Sequence, residues 1–436
     1  MHERFRFKSK EELILKAKEL GLELPFSDDI TPLLTPLSLD SFQVANRLVV
    51  QPMEGYDSEC DGSPSNLTRR RYLRYAEGGS GIIWFEAVAV SPDGRSNPCQ
   101  LWLHNGNSDH FSSLIDETRH AARQKGFNPL LVIQLTHSGR YSKPDGIPQP
   151  LVAALNPLLD KSTPSILSDD DLKRIQDQYI TVAKLAKLSG FDAIDLKACH
   201  GYLMIELLSA KFRKNTIYGG SDPSERFKFM LETIDRIRDE VPSIMITTRL
   251  NISDFYKGGF GVDENDNPDF AEPLMLIEQL KSRGIRFINL SMGSPYFNPH
   301  VTRPYDNPLP GQKVPDEHPL EGVIRIINGT SVFQKKFPEI FFIGSAYSYL
   351  RQYAPYVGAA VIKNRDASFI GLGRSSFAYP SLPIDLMKDG KADPSKVCIA
   401  CSGCTRLIKN LRHGGCVIRD REIYGAELKK LISDGK

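Results

Sequence analysis

Four cysteines gather near the C-terminal end of the chain: Cys398, Cys401 and Cys404, with two residues between each, and Cys416 after eleven more. Thiolates at this spacing can converge on a four-coordinate site, and on chemistry alone either a structural zinc or a [4Fe–4S] cluster satisfies it. A disulfide framework would instead spread its cysteines through the chain. Cys60, Cys99 and Cys199 read as ordinary thiols that pack like small apolar groups. A second set of reactive side chains recurs at the ends of short apolar runs: Gln51 and Glu54, Glu86, Gln134 with His137, Lys197 with His200, Arg249 with Asn251, and Arg374. A hydrophobic core is not written this way. The last two runs end in Gly344-Ser345 and Gly371-Leu372-Gly373-Arg374, where small residues admit backbone N–H groups to a ligand beside a fixed cation, an arrangement suited to phosphate.

The elements that must position these groups follow a rhythm. The apolar runs are NRLVVQPM (46–53), GIIWFEAVAV (81–90), PLLVIQL (129–135), FDAIDLKA (191–198), IMITTRLN (244–251), FINLSM (287–292), IFFIGS (340–345) and ASFIGLGR (367–374), eight in all. Between them lie stretches of helical periodicity, such as the one that Ser168 caps and Gly190 ends. An open doubly wound sheet has a similar alternation, but the count of eight favours an α/β fold closed as a (β/α)8 TIM barrel, whose ligands gather at the strand C-terminal ends. The predicted organisation is an N-terminal helix and linker (1–36), the barrel (37–395), and a cysteine segment with a terminal helix (396–436). The longest irregular stretch, 293–319, is a candidate lid.

With 41% hydrophobic residues in 436, the chain can bury a large core. Its 55 basic and 53 acidic residues nearly cancel and are scattered, so nothing calls for nucleic acid or an anionic membrane; a small molecule is the expected partner. The charged N-terminus and the lack of any apolar run of about 18 residues predict a cytoplasmic protein.

At HGYLMIELLSAKFRKNTIYGGSDPSERFKF (200–229) the sequence resembles the old yellow enzyme family, in the iron–sulfur branch related to 2,4-dienoyl-CoA reductase and trimethylamine dehydrogenase. NRLVVQPM, IQLTHSGR, TTRLN and the terminal cysteines stand in the family's order, and the resemblance runs from about Leu37 to Asp420. It implies FMN as cofactor, with Pro52, Met53 and Ala87 against the flavin, Gln134 on its pyrimidine edge, Arg249 near N1 and O2, and Gly344, Ser345, Gly373 and Arg374 around the phosphate. It implies a [4Fe–4S] cluster on Cys398, Cys401, Cys404 and Cys416. It also implies reduction of an activated C=C bond (enone, enoate or dienoyl type), with hydride from flavin N5, a proton from Tyr202, and His200 and Lys197 gripping the substrate oxygen.

Two positions depart from the family pattern. Lys197 stands where histidine is frequent, which suggests a more anionic acceptor such as a carboxylate. Glu54 occupies a place that often holds an uncharged residue, and suggests a lowered flavin potential or a basic substrate group. The larger relatives continue into further flavin- and nicotinamide-binding domains. No convincing GxGxxG follows a strand here, so electrons are expected from NAD(P)H bound over the flavin or from a separate ferredoxin or flavoprotein. Self-assembly into a homo-oligomer is compatible with this reading.

Other readings stay open beside these. An amine or other C–N dehydrogenase would pass electrons outward from FMN through the cluster, and an accessory electron-transfer subunit would have no substrate of its own. Lys197 could pair with Asp195, which strand alternation puts on the same side. His137, His200, Tyr202 and Arg249 each have a purely structural alternative.

Overall fold

In the computed structural model, which describes residues 1–39, 42–156, 158–159 and 164–435, all eight apolar runs form strands, and these close into one parallel barrel. The strands are β1 (Leu48–Val50), β2 (Ile82–Ala89), β3 (Leu130–Thr136), β4 (Ala193–Leu196), β5 (Met245–Asn251), β6 (Phe287–Ser291), β7 (Phe341–Gly344) and β8 (Phe369–Leu372). Each pairs with its neighbour in sequence, and β8 returns to β1 through Ile370–Leu48, Gly371–Val49 and Leu372–Val50. Several strands are shorter than their runs. In β1, Pro52 has no N–H for the ladder, so the chain leaves the sheet and turns across the mouth.

The barrel interior is solid at its N-terminal end. Val49, Trp84, Val132, Phe287, Ile343 and Phe369 fill it, and Leu39 and Val44 plug the opening from an antiparallel hairpin of Leu37–Leu39 with Phe42–Val44. Packing below and loops above leave one end of the barrel for a ligand. The helix Asp169–Leu188 shows how local chemistry sets an outer element. Ser168 and Asp171 form a reciprocal capping box at its start, and Gly190 just past its end has φ +92°, which a side chain would resist.

The terminal segments are parts of the same body. The expected N-terminal helix occupies Lys10–Glu19, and its Leu13 joins Leu33, Leu320, Leu350 and Val357 in a buried cluster, which packs the helix against the barrel. The cysteine segment has its own small core of Leu407, Val417, Tyr424 and Leu431. It is held to the barrel by Arg70 and Arg74, both 2.7 Å from Asp420, and by Gly414 N donating to Gly55 O at 2.6 Å. Lys436, which ends the predicted segment, lies outside the described residues. No helix among the described residues is long and apolar enough to cross a membrane.

Candidate active site

The loops beyond the strand ends enclose a cavity of about 440 Å³. Gln51 enters it from β1 and exchanges amide hydrogen bonds with Asn289 of β6, at 3.1 and 2.7 Å. The turn that follows, carrying Pro52, Met53 and Glu54, is fixed from beneath. Gly55 N donates to Glu86 Oε2 at 2.7 Å, and Glu86 shares the Arg71 guanidinium with Asp57 in a fully buried triad. Two carboxylates face one cation there, and burial pushes the Glu86 carboxyl up. Glu86, expected at the mouth, is therefore a support under the loop and does not line the cavity.

On the β3–β5 wall the organising group is Asp195. Its carboxylate accepts from Gln134 Nε2 at 2.5 Å, Trp84 Nε1 at 2.8 Å and the Arg249 backbone N–H at 2.6 Å. Burial outweighs these bonds and pushes Asp195 up to about 6. With its NH2 group engaged, Gln134 keeps its amide oxygen for a ligand N–H. Asp195 is thereby saturated, and Lys197 pairs elsewhere: its Nζ lies 3.3 Å from Glu54 Oε1 and 3.6 Å from the centre of the Tyr202 ring. The Lys197–Asp195 pair allowed by strand alternation does not form.

Tyr202 sits at the N-terminal edge of the helix Leu203–Leu208 with its hydroxyl 3.4 Å from Glu54 Oε1 and 3.1 Å from the Tyr296 hydroxyl. Burial, then the Glu54 charge, pushes this phenol well above its ordinary range, so it is protonated at neutral pH. His200 holds a left-handed backbone, φ +64°, and its buried Nε2 has no partner within the protein. Burial, then Arg249, Lys197 and Arg303, depress its pKa far below the ordinary histidine value, so the imidazole is neutral. Ser96 Oγ reaches the other Glu54 oxygen at 3.4 Å. Both oxygens of Glu54 are thus engaged, and the charge of Lys197 is offset inside the protein.

The β7–β8 side is built differently. Ser345, Gly373 and Arg374 line the cavity. Arg374 donates from Nη2 to Pro304 O at 2.5 Å and has no partner for Nη1. Arg303 lies beside it with its own Nη1 unmatched, and burial together with the Arg374 charge lowers its pKa to about 10. Arg249 Nε is unmatched as well. At Gly373 an added Cβ would stand 3.1 Å from Met53 Sδ, so a side chain there would press on the Met53 thioether. Three buried guanidinium groups with unmatched nitrogens, around a glycine rim, fit an anion joined to a flat polar ring, as in FMN.

Of the residues assigned to the cofactor, Pro52, Met53, Gln134, Arg249, Ser345, Gly373 and Arg374 line the cavity, and Ala87 and Gly344 do not. Ala87 O accepts from Gln100 Nε2 at 3.0 Å. His137 is structural: it is buried outside the cavity, and its Nδ1 accepts from Gly139 N at 3.1 Å. Asn251 anchors the loops, donating to Asp254 Oδ1 at 2.7 Å and Gly293 O at 2.8 Å. Sequence reasoning did not single out Tyr141, Tyr296 or Arg303. The aromatic content of the 293–319 stretch was the one signal, and Tyr296 of that stretch stacks on Tyr141 with ring centres 3.7 Å apart. The four clustered cysteines line a separate small cavity beside Arg374 and Phe377. Among the described residues no group of three or more His, Cys, Asp or Glu side chains is arranged to hold a metal ion.

Residues 32–305 match the NADH:flavin oxidoreductase / NADH oxidase family. An NADPH dehydrogenase of Bacillus pumilus (strain SAFR-032) is 30% identical over 267 residues, 61% of this chain and 74% of that one. A solved structure of 2-naphthoyl-CoA reductase in complex with 2-naphthoyl-CoA superposes with TM-score 0.72 at 19% identity, covering 92% of this chain; the chain spans 58% of that protein. An old yellow enzyme homologue from Zymomonas mobilis superposes with TM-score 0.64 at 18% identity, covering 89% of this chain and 98% of its own. The barrel, its polar mouth and these likenesses agree: the chain belongs to the NADH:flavin oxidoreductase / NADH oxidase family and is an FMN-dependent oxidoreductase of the old yellow enzyme type.

Proposed function

We propose that this enzyme reduces an activated C=C bond conjugated to a carbonyl. The observation that carries the reading is the convergence of Tyr202, His200 and Lys197 on one cavity above Gln134 and Arg249. FMN bound there supplies hydride. His200 is neutral and, as the Nε2–H tautomer, donates to the substrate carbonyl oxygen, which draws electron density from the double bond. Lys197 adds its charge from the same side. Tyr202 gives its proton to the α carbon, and Lys197 across its ring offsets the charge left on the phenolate. Arg249 would offset negative charge on the bound cofactor.

Because Glu54 already neutralises Lys197, the lysine does not by itself require an anionic acceptor. The same pairing weakens the amine dehydrogenase alternative, since the carboxylate that an ammonium substrate would need is occupied. NAD(P)H is the electron donor in this reading. A [4Fe–4S] cluster on Cys398, Cys401, Cys404 and Cys416 belongs to it as well. In its support, the thiols share one cavity, Ala400 N and Arg419 N each lie 3.4 Å from a cysteine sulfur, and Ala400 and Ser402 take left-handed backbones that curl the loop around it.

The test is anaerobic turnover of 2-cyclohexenone with NADPH. Tyr202→Phe should lose about 10²- to 10⁴-fold in kcat while keeping FMN, and His200→Ala should lose rate and raise KM. Wild-type rates in both variants would refute the assigned roles. Iron and acid-labile sulfide assays on anaerobically purified protein decide the cluster.

A further inference from the structure

The cavity extends beyond the cofactor residues to a rim shared with the cysteine segment, and there its charge is one-sided. Glu54, the one acid among its lining residues, is committed to Lys197. Arg249, Arg303 and Arg374 belong with the flavin ring and phosphate. Two further cations remain, Lys143, after the short turn Gly139–Tyr141, and Lys409, at the end of the helix Gly403–Lys409. They come from different loops onto one cavity, and neither has an ion-pair partner among the described residues. Lys409 is held below the ordinary lysine value by burial and then by Arg303 and Lys143, so the three cations crowd one another. Lys409 is exposed at this rim and Lys143 half-buried, and crowding like charges there costs folding free energy, which an arriving anion would offset. The stacked Tyr141 and Tyr296 rings line the same cavity and offer a flat aromatic wall.

We propose that Lys143 and Lys409 bind the ribose phosphate of an adenosine-phosphate tail on the molecule that exchanges electrons with the flavin. This rests on the reading of the cavity as a flavin site. The chemistry has two sources, a nicotinamide nucleotide bearing a 2′-phosphate or an acceptor carried as the thioester of a 3′-phosphorylated adenine nucleotide.

The experiment is calorimetric titration of the FMN-loaded full chain with adenosine 2′,5′-bisphosphate and adenosine 3′,5′-bisphosphate, at low and high salt. One should bind, less tightly as salt rises, and Lys143→Gln/Lys409→Gln should weaken it by about tenfold or more. Preference for the 2′,5′ isomer assigns the site to the nicotinamide donor, and preference for the 3′,5′ isomer assigns it to the thioester. The charge-keeping Lys143→Arg/Lys409→Arg protein should retain binding, which guards against a variant that fails to fold. Equal binding by wild type and the glutamine variant, or no binding to wild type at millimolar concentration, overturns the proposal. So does loss of FMN from the glutamine variant, which would give the lysines to the cofactor phosphate. The C=C reductase reading is judged separately by wild-type turnover of 2-cyclohexenone, which carries no phosphate, so either idea can fail while the other stands.

Discussion

The two sides of the barrel mouth solve opposite problems. On the side built from β1 to β5, most buried polar groups find partners within the chain, Gln134 with Asp195, Lys197 with Glu54, and Arg71 with Asp57 and Glu86, while His200 Nε2 and Arg249 Nε do not. On the β7–β8 side, Arg374 and Arg303 keep unmatched nitrogens beside a rim of glycine. An unmatched buried donor costs about 1–3 kcal/mol. A matched wall therefore holds side chains in fixed positions, and an unmatched one keeps donors available for a bound anion. In the proposed function, chemistry that depends on geometry belongs on the first side, and affinity for the cofactor phosphate on the second.

Removing the cation of the buried triad should break the matched side most severely. Arg71→Ala leaves Asp57 and Glu86 facing each other without a counter-ion, and breaking a buried pair in this way costs about 3–5 kcal/mol. Urea unfolding should show the midpoint falling accordingly. A loss below about 1 kcal/mol would mean that the triad does not hold the Pro52–Glu54 turn. On the other side the expectation reverses. Arg374→Gln should leave the unfolding midpoint nearly unchanged, because the side chain makes a single hydrogen bond within the protein. Its FMN affinity should fall by about 10- to 100-fold, as loss of a hydrogen bond to a charged group implies. Fluorescence titration of the apoprotein with FMN measures it. Unchanged affinity in this variant would erase the distinction between the two sides.

How much of this was legible in the sequence follows the same division. Strand positions carry a period and a composition, so the eight runs placed the barrel, and the groups at their ends marked the mouth. On the β7–β8 side, the adjacent Gly373 and Arg374 were singled out as a small residue beside a charge, and both line the cavity. The matched side was harder, since a partnership depends on distance in space. Lys197 and Asp195 are two residues apart and share a strand side, yet Asp195 is taken by three donors and Lys197 reaches across the mouth to Glu54. Glu86 and His137 were polar at strand ends for structural reasons that no spacing reveals. Tyr296 lies in an irregular loop, where no periodicity marks which side chain turns inward.

Titration sharpens the comparison with a smaller effect. The matched side holds carboxyls in burial, and Asp195 is raised from an ordinary 3.8 to about 6. Between these values the unfolded chain has released the proton and the folded protein still holds it. The stability that Asp195 contributes is therefore full below about pH 4 and is lost as pH rises through 6, by up to about 3 kcal/mol. Asp254, also raised to about 6 by burial, adds a loss of the same sign. Asp195→Asn cannot titrate, so its stability should decline less steeply between pH 4.5 and 6.5, although the variant is weaker at every pH because its NH2 group meets the donors that the carboxylate accepted. Arg374→Gln should keep the wild-type slope, because it leaves Asp195 and Asp254 in place. Urea midpoints at the two pH values separate these cases, and an unaltered slope in Asp195→Asn would place the titrating group elsewhere in the fold.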